Sequence, residues 1–334
     1  MMKVAQLTKY NKQNPILNII DIPIPQINDN QVLVKIKTAG VNPLDNMISR
    51  GEVKLVTPYK LPLTAGNEMV GIIEKVGNSV SQFRVGDRVF ARLPLSHIGA
   101  FAEYVAVDVN ALAKVPDYLS DVEAAAVPLT ALTVIQALDL MKIDTGKTIF
   151  ISGGTGGVGA MAIPIAKAKG LKVITNGALA NKERVMDLGV DQFIDYKMED
   201  YTKILKDIDY VLDTLGGSET IKQMNILRKG GHLVSLRAMP NGAFAKRMSF
   251  PIWKRILFRL AGLKLDLIAN KKGVHYDFIY VESNGVQLSE VADILSKTRV
   301  KPSIDKVFSF EEVNDALNKV ANERSRGKTI LVFQ

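Results

Sequence analysis

Gly154, Gly156 and Gly159 stand at the G-x-G-x-x-G spacing inside the stretch TIFISGGTGGVGAMAIPIAKAKG, residues 148 to 170. The chemistry of that spacing is pyrophosphate binding. One glycine admits a tight turn, the second lets backbone N–H groups approach the anion, and the third lets helix and strand pack closely. The phosphates then sit at the helix N-terminus, with Thr155, Gly157 and Val158 completing the loop. The flanking sequence supplies the context the motif needs. Thr148 to Ser152 is a short apolar run that reads as a buried strand. Ala160 to Ala168 reads as a mostly apolar helix ended by Gly170, and Leu171 to Thr175 as the next parallel strand. Glycine-rich packing is the plainer alternative.

The residues after that second strand choose the dinucleotide. An NAD site places a carboxylate about 20 residues beyond the first glycine, to hold the ribose 2′-OH. Here the count reaches Ile174, Thr175 and Asn176, and the first acid is Glu183. Small polar residues (Thr175, Asn176, Gly177) and then Lys182 and Arg184 would accept a 2′-phosphate, which an acid would repel. NADPH is therefore expected, although Lys182 also reads as an ordinary solvated charge at a helix start.

The elements around this loop alternate. Strands are expected at Gln192 to Asp195, Tyr210 to Thr214 and His232 to Leu236. Helices are expected at Lys182 to Leu188, Tyr201 to Lys206 and Thr220 to Arg228. This is the pattern of a doubly wound parallel sheet, whose ligands lie beyond the carboxyl ends of the strands. Thr214 to Gly217, with Leu215, and Leu236 to Ala238 fall at two such ends. Ahead of it, residues 1 to about 118 read as short β-strands separated by Pro, Gly, Asn and Asp clusters. Ser120-Asp121-Val122-Glu123 is a capping box that opens a helical run interrupted at Pro128. From Ala243 to Leu265 a basic amphipathic helix places Ile252, Trp253, Ile256, Leu257, Leu260 and Leu263 on one face. Packing of that face onto the protein is the ordinary expectation; a membrane surface or an anionic ligand is the alternative.

Composition bounds the rest. The 334 residues are enough for two domains, and 47% hydrophobic content supports full cores. The chain has no cysteine, which excludes disulfides, thiolate catalysis and every Cys-based zinc site. No uninterrupted apolar run has the length of a membrane span and no signal opens the chain, so a cytoplasmic protein is expected. The net charge of +9 is spread along the chain without interleaved aromatics, so nucleic-acid binding is not expected.

Eight spaced segments carry a resemblance: GVNPLD (40–45), PLTAGNEMVG (62–71), VGDRV (85–89), GAFAEYV (99–105), PLTALTVIQA (128–137), the glycine loop, IDY (194–196) and RGK (326–328). In this order the chain resembles the medium-chain dehydrogenase/reductase superfamily, and within it the zinc-free quinone oxidoreductase and enone reductase branch. The resemblance implies an α/β protein with a GroES-like, β-rich catalytic domain (residues 1–121 and 275–334) and a Rossmann NADP-binding domain (residues 122–274). It implies a homodimer and a small-molecule carbonyl or quinone substrate.

The residue roles that follow are implied by the resemblance. Zinc-dependent relatives carry a Cys before a Gly near residue 39 and a His in G-H-E. Here those places hold Ala39-Gly40 and Gly66-Asn67-Glu68, which leaves Glu68 structural and no Lewis acid. Direct hydride transfer to a conjugated C=C or a quinone needs none, because charge delocalises onto the carbonyl oxygen. Asn42 is expected near the nicotinamide or substrate, or else forms an Asn-Pro turn. Thr133, Tyr196, Ser235, Leu236, Arg237, Ile279, Tyr280, Val281 and Arg326 are expected along the cofactor. The tyrosine that many quinone reductases carry two residues after the glycine matching Gly51 is Val53 here, and Tyr59 on the same loop is the substitute. No general acid stands out, which leaves water as the proton source. A 2-enoyl thioester reductase is the alternative enzyme, and an NADPH-binding or RNA-binding protein on the same fold the alternative class.

Overall fold

The computed structural model describes residues 1–323 and 327–333. The chain divides into two compact units, residues 133–281 and residues 1–132 with 282–334.

In residues 133–281, six short runs form β1 (Thr148–Ile151), β2 (Lys172–Gly177), β3 (Gln192–Asp195), β4 (Ile208–Asp213), β5 (Leu227–Ser235) and β6 (His275–Phe278). They lie in the order 3-2-1-4-5-6 and every pair is parallel. The expected doubly wound sheet is therefore present, with its order reversing between β1 and β4, where ligands of such sheets bind. Helix α1 (Gly157–Ala168) runs from the glycine loop through a buried Pro164 and packs on β1 and β2. Phe150, Ile174, Val211 and Leu233 are buried in the core. The Phe150 ring stacks on Tyr201 with centroids 4.9 Å apart.

The basic segment differs from its ordinary expectation. A short helix, Gly242–Arg247, precedes the long helix α2 (Ile252–Lys272). What α2 turns inward is Phe258, Gly262 and Ala269. Phe258 joins Phe244 and Phe250 in an aromatic cluster with centroids 5.5 to 5.9 Å apart. Gly262 allows a close approach, since a Cβ there would come within 2.5 Å of the Asn241 Cβ. The apolar face read from the sequence points the other way. Ile252 is 76% exposed, Trp253 and Ile256 56%, and Leu260 64%. Aromatic packing and a small residue, rather than the broad aliphatic stripe, anchor this helix.

In the other unit the strand Gln31–Val41 pairs antiparallel with Glu68–Val76, Tyr104–Asp108 and Lys328–Val332. These belong to a seven-stranded sheet that also takes in Arg88–Arg92, Leu112–Lys114 and Ile304–Ser309. A second sheet joins Asn18–Ile22, Met2–Leu7 and Leu63–Thr64. The β-rich reading is confirmed, and both ends of the chain contribute to it. Ser120 caps the helix Asp121–Ala124 through a reciprocal bond with Glu123. The run from 121 to 141 is, by length and composition, apolar enough to cross a membrane, but 83% of its most apolar window is buried inside the protein.

Candidate active site and cofactor cradle

The glycine loop is built by side chains that staple it to β2. Thr175, fully buried at the end of β2, donates from Oγ1 to the Ile151 carbonyl (2.6 Å) and accepts from Gly154 N–H (3.0 Å). The Asn176 Oδ1 accepts from Gly153 N–H at 2.8 Å. The left-handed residue of the turn is Gly153, with φ +66°. Gly154 is required for a different reason: a Cβ there would lie 2.0 Å from Thr175 Oγ1. A Cβ on Gly159 would meet the Gly153 carbonyl at 2.4 Å, so this glycine sets the helix against the strand end.

Gly156 and Gly157 are different. A Cβ on Gly156 would meet only the Gly153 carbonyl, at 3.4 Å, and one on Gly157 nothing within 4 Å. Gly156 is the N-cap of α1 and offers no capping side chain. The first N–H groups of a helix have no partner within the helix and carry its positive dipole end. Open space over such backbone fits the pyrophosphate of a dinucleotide.

A cavity of about 1010 Å³ opens beside this cradle, lined in part by Thr155, Gly156, Asn176, Tyr196 and Leu215. These expected cofactor residues are thus brought together. Three carboxylates lie on its wall: Glu199 is exposed, Asp200 is engaged with Thr202, and Glu219 with Tyr201 and Lys222. Lys182 is exposed, and neither it nor Arg184 lines the cavity. The cation held at the loop is Arg184, whose Nη2 donates to the Thr155 carbonyl at 2.7 Å while burial lowers its pKa.

At the end of β4, Asp213 is the organiser that sequence reasoning missed. Fully buried, it accepts from Leu215 N–H, Gly216 N–H, Gln223, Thr220 and Ser235 at 2.6 to 3.2 Å. It thereby fixes the loop that carries Leu215. Ser235 is spent on this work, since its hydroxyl also accepts from Arg237 N–H and Ala238 N–H. Leu236 N–H bonds to the Asp213 carbonyl and Ile279 N–H to that of Ser235. Arg237 is exposed, and Val281 and Thr133 are buried. None of these, nor Tyr280, lines the cavity. Arg326 lies outside the described residues.

In the β-rich unit, Asn42 sits at the N-cap of the helix Pro43–Arg50, before its proline. Both readings of Asn42 meet here, because its side chain does more than shape a turn. Nδ2 donates to Glu68 Oε1 (2.8 Å) and to the Gly40 carbonyl (3.3 Å), and Oδ1 accepts from the Lys328 ammonium (2.5 Å). Glu68 is fully buried. It pairs with Lys328 at 2.5 Å and accepts from Leu129 N–H at 2.7 Å. Asp45 accepts from Asn42 N–H and from Asn67 Nδ2, both at 2.7 Å. Burial, opposed by these bonds, pushes the Asp45 pKa up to about 6. The Asn67 Oδ1 is buried without a hydrogen-bond partner among the described residues. Tyr59 is half-buried, and its carbonyl accepts from the Tyr10 hydroxyl at 2.9 Å.

Gly154→Ala should destabilise the protein by about 2 kcal/mol or more, through overpacking against Thr175. Gly157→Ala should leave stability within about 1 kcal/mol of wild type or raise it; chemical denaturation of both variants checks the contrast. Asp45, raised in the folded state, holds its proton where the unfolded chain has lost it, between pH 3.8 and about 6. Its contribution to stability is full below that window and falls as pH rises through it, by on the order of 2 to 3 kcal/mol in all. Denaturation midpoints of wild type and Asp45→Asn across this window should differ in slope, with the variant the flatter.

Comparison with known proteins agrees with this architecture. The family model described as the alcohol dehydrogenase GroES-like domain matches residues 28–117, and that described as zinc-binding dehydrogenase matches residues 188–331. The chain is 33% identical to the mouse (Mus musculus) mitochondrial NAD(P)H oxidoreductase RTN4IP1, over 99% of this chain and 89% of that protein. It is 30% identical to the 2-methylene-furan-3-one reductase of Solanum lycopersicum, over 99% of this chain and 79% of that one. The solved structure of the quinone oxidoreductase from Coxiella burnetii matches with a TM-score of 0.82 at 26% identity, over 100% of this chain and 99% of that one. Similarity of this extent, on a fold with an open glycine cradle, shows that the chain belongs to the medium-chain dehydrogenase/reductase superfamily, in its quinone oxidoreductase and enone reductase branch, and is an NAD(P)H-dependent oxidoreductase.

Proposed function

We propose that this protein is an NADPH-dependent, zinc-independent reductase of a conjugated C=C bond, as in an enone or alkenal, or of a quinone. The observation that carries the cofactor choice is the end of β2. No carboxylate follows it before Glu183, Thr175 and Asn176 are turned into loop staples, and Arg184 is held at the Thr155 carbonyl. An arginine is suited to a 2′-phosphate, which it binds by paired charged hydrogen bonds. The backbone of Gly156 and Gly157 would hold the pyrophosphate, and Tyr196 and Leu215 would line the adenosine side of the same cavity. When bound, NADPH supplies the hydride.

Zinc chemistry is disfavoured by the donor set itself. Ala39 offers no ligand atom. Asn67, in place of a histidine, is committed through Nδ2 to Asp45. Glu68 has its oxygens filled by Asn42, Leu129 and Lys328. Among the described residues no three His, Cys, Asp or Glu side chains gather as a metal site. An acceptor that spreads its developing charge needs orientation and a hydrogen-bond donor rather than a Lewis acid. On that side Asn42 positions the Lys328 ammonium, and Tyr59 is assigned to the acceptor carbonyl. The tomato relative, by its name a reductase of a methylene group conjugated to a ketone, supports this acceptor class.

The test pairs binding with turnover. NADPH should bind more tightly than NADH. Arg184→Ala should weaken NADPH by roughly 10- to 100-fold while changing NADH little, the scale of one or two hydrogen bonds to a charged group. Lys182→Ala should have the smaller effect. Tighter binding of NADH, or no NADPH consumption with any of a panel of enones, alkenals and quinones, would overturn the reading.

A further inference from the structure

The exposed face of α2 is the largest feature the reductase reading leaves unused. At about 100° per residue, Ile252, Trp253, Ile256, Leu260, Leu263 and Leu267 fall within roughly a third of the helix circumference. All six are exposed, from 43% at Leu263 to 76% at Ile252. The stripe extends over most of a helix that 21 residues make about 30 Å long. Soluble surfaces rarely present a continuous aliphatic row of this length.

The charges beside the stripe have one sign. Arg259 borders it on one side and Lys264 on the other, both exposed, with Lys271 and Lys272 at the carboxyl end. The helix contains a single carboxylate, Asp266, and that one accepts from Asn241 Nδ2 at 2.8 Å. This pattern argues against a second copy of the chain as the occupant. Two such faces packed together would set cationic rims against each other with no acid between them. An apolar stripe with an aromatic residue and basic margins fits the boundary between lipid headgroups and acyl chains, where anionic headgroups meet the cations.

We propose that α2 is a membrane-surface helix that docks this protein, lying in the interfacial plane, onto bilayers carrying anionic phospholipid. The stripe enters the acyl boundary, and Arg259, Lys264 and Lys271 bind phosphate and carboxylate groups above it. The helix lies along the bilayer rather than through it, because its inward side is committed to Phe244, Phe250 and Asn241.

Trp253 is the only tryptophan in the chain, so its emission reports this helix alone. The full-length protein is mixed with vesicles of phosphatidylcholine, or of phosphatidylcholine and phosphatidylserine in about a 3:1 ratio. Sedimentation and Trp253 emission are then followed. Binding to the anionic vesicles, with a blue-shifted emission weakened by added salt and little binding to the neutral ones, is the expected result. Lys264→Glu/Lys271→Glu should cut partitioning by at least ~10-fold. Leu260→Ser/Leu263→Ser should do the same through lost burial. All substituted positions are exposed, so unchanged thermal midpoints verify that the variants fold. Three outcomes would overturn the proposal. Wild type could fail to bind anionic vesicles. It could bind them no less after either double substitution. Or it could prove to be a dimer that Leu260→Ser/Leu263→Ser dissociates, with no vesicle binding, which would make the face a contact between copies.

Discussion

A carboxylate without exposed surface stands at the centre of the discontinuous unit. Burying Glu68 is tolerable only because it is both paired and hydrogen-bonded. Lys328 supplies the charge, and Asn42 and the Leu129 backbone supply the bonds. Three stretches far apart in the sequence must meet at that one group. Gly40 belongs to the same arrangement, since a Cβ there would lie 2.3 Å from Glu68 Oε1. The register of the sheet then follows: Thr329 lies opposite Val41, which places Lys328 beside Asn42.

The Rossmann unit is governed by an analogous economy of buried polar groups. Asp213 binds five donors and so fixes the loop beyond β4. Thr175 and Asn176 do the same for the glycine loop beyond β2. The backbone that would face an anion is therefore held by side chains behind it. Such a site is preorganised, so ligand binding need not order the loop first.

Much of this was legible in the sequence, and the failures have physical causes. Strand and helix alternation, the glycine spacing and the missing acid after β2 are local signals, and the structure retains each. The assignment of the basic helix to a packed face failed because periodicity shows which face is apolar and says nothing of what covers it. Phe258 and Gly262, the residues that anchor α2, interrupt no pattern. Arg184 and Lys182 read alike as charges, and only the Thr155 carbonyl distinguishes them. Asn42 and Lys328 are 286 residues apart, so no window of sequence could have joined them. Asp213 could have been suspected as an acid closing an apolar strand before two glycines, but its five partners could not.

The division of the chain has a consequence for how it is made. Residues 133–281 form one unit without interruption, whereas the other draws on residues on both sides of it. Synthesis runs from the amino end, so every strand of the parallel sheet leaves the ribosome before Lys328–Val332 does. Until that last strand arrives, residues 38–41 lack a partner on one edge of Gln31–Val41 and Glu68 has no counter-charge. The nascent β-rich half must wait with an open edge while its neighbour folds, which is the interval in which aggregation competes and a chaperone would be engaged.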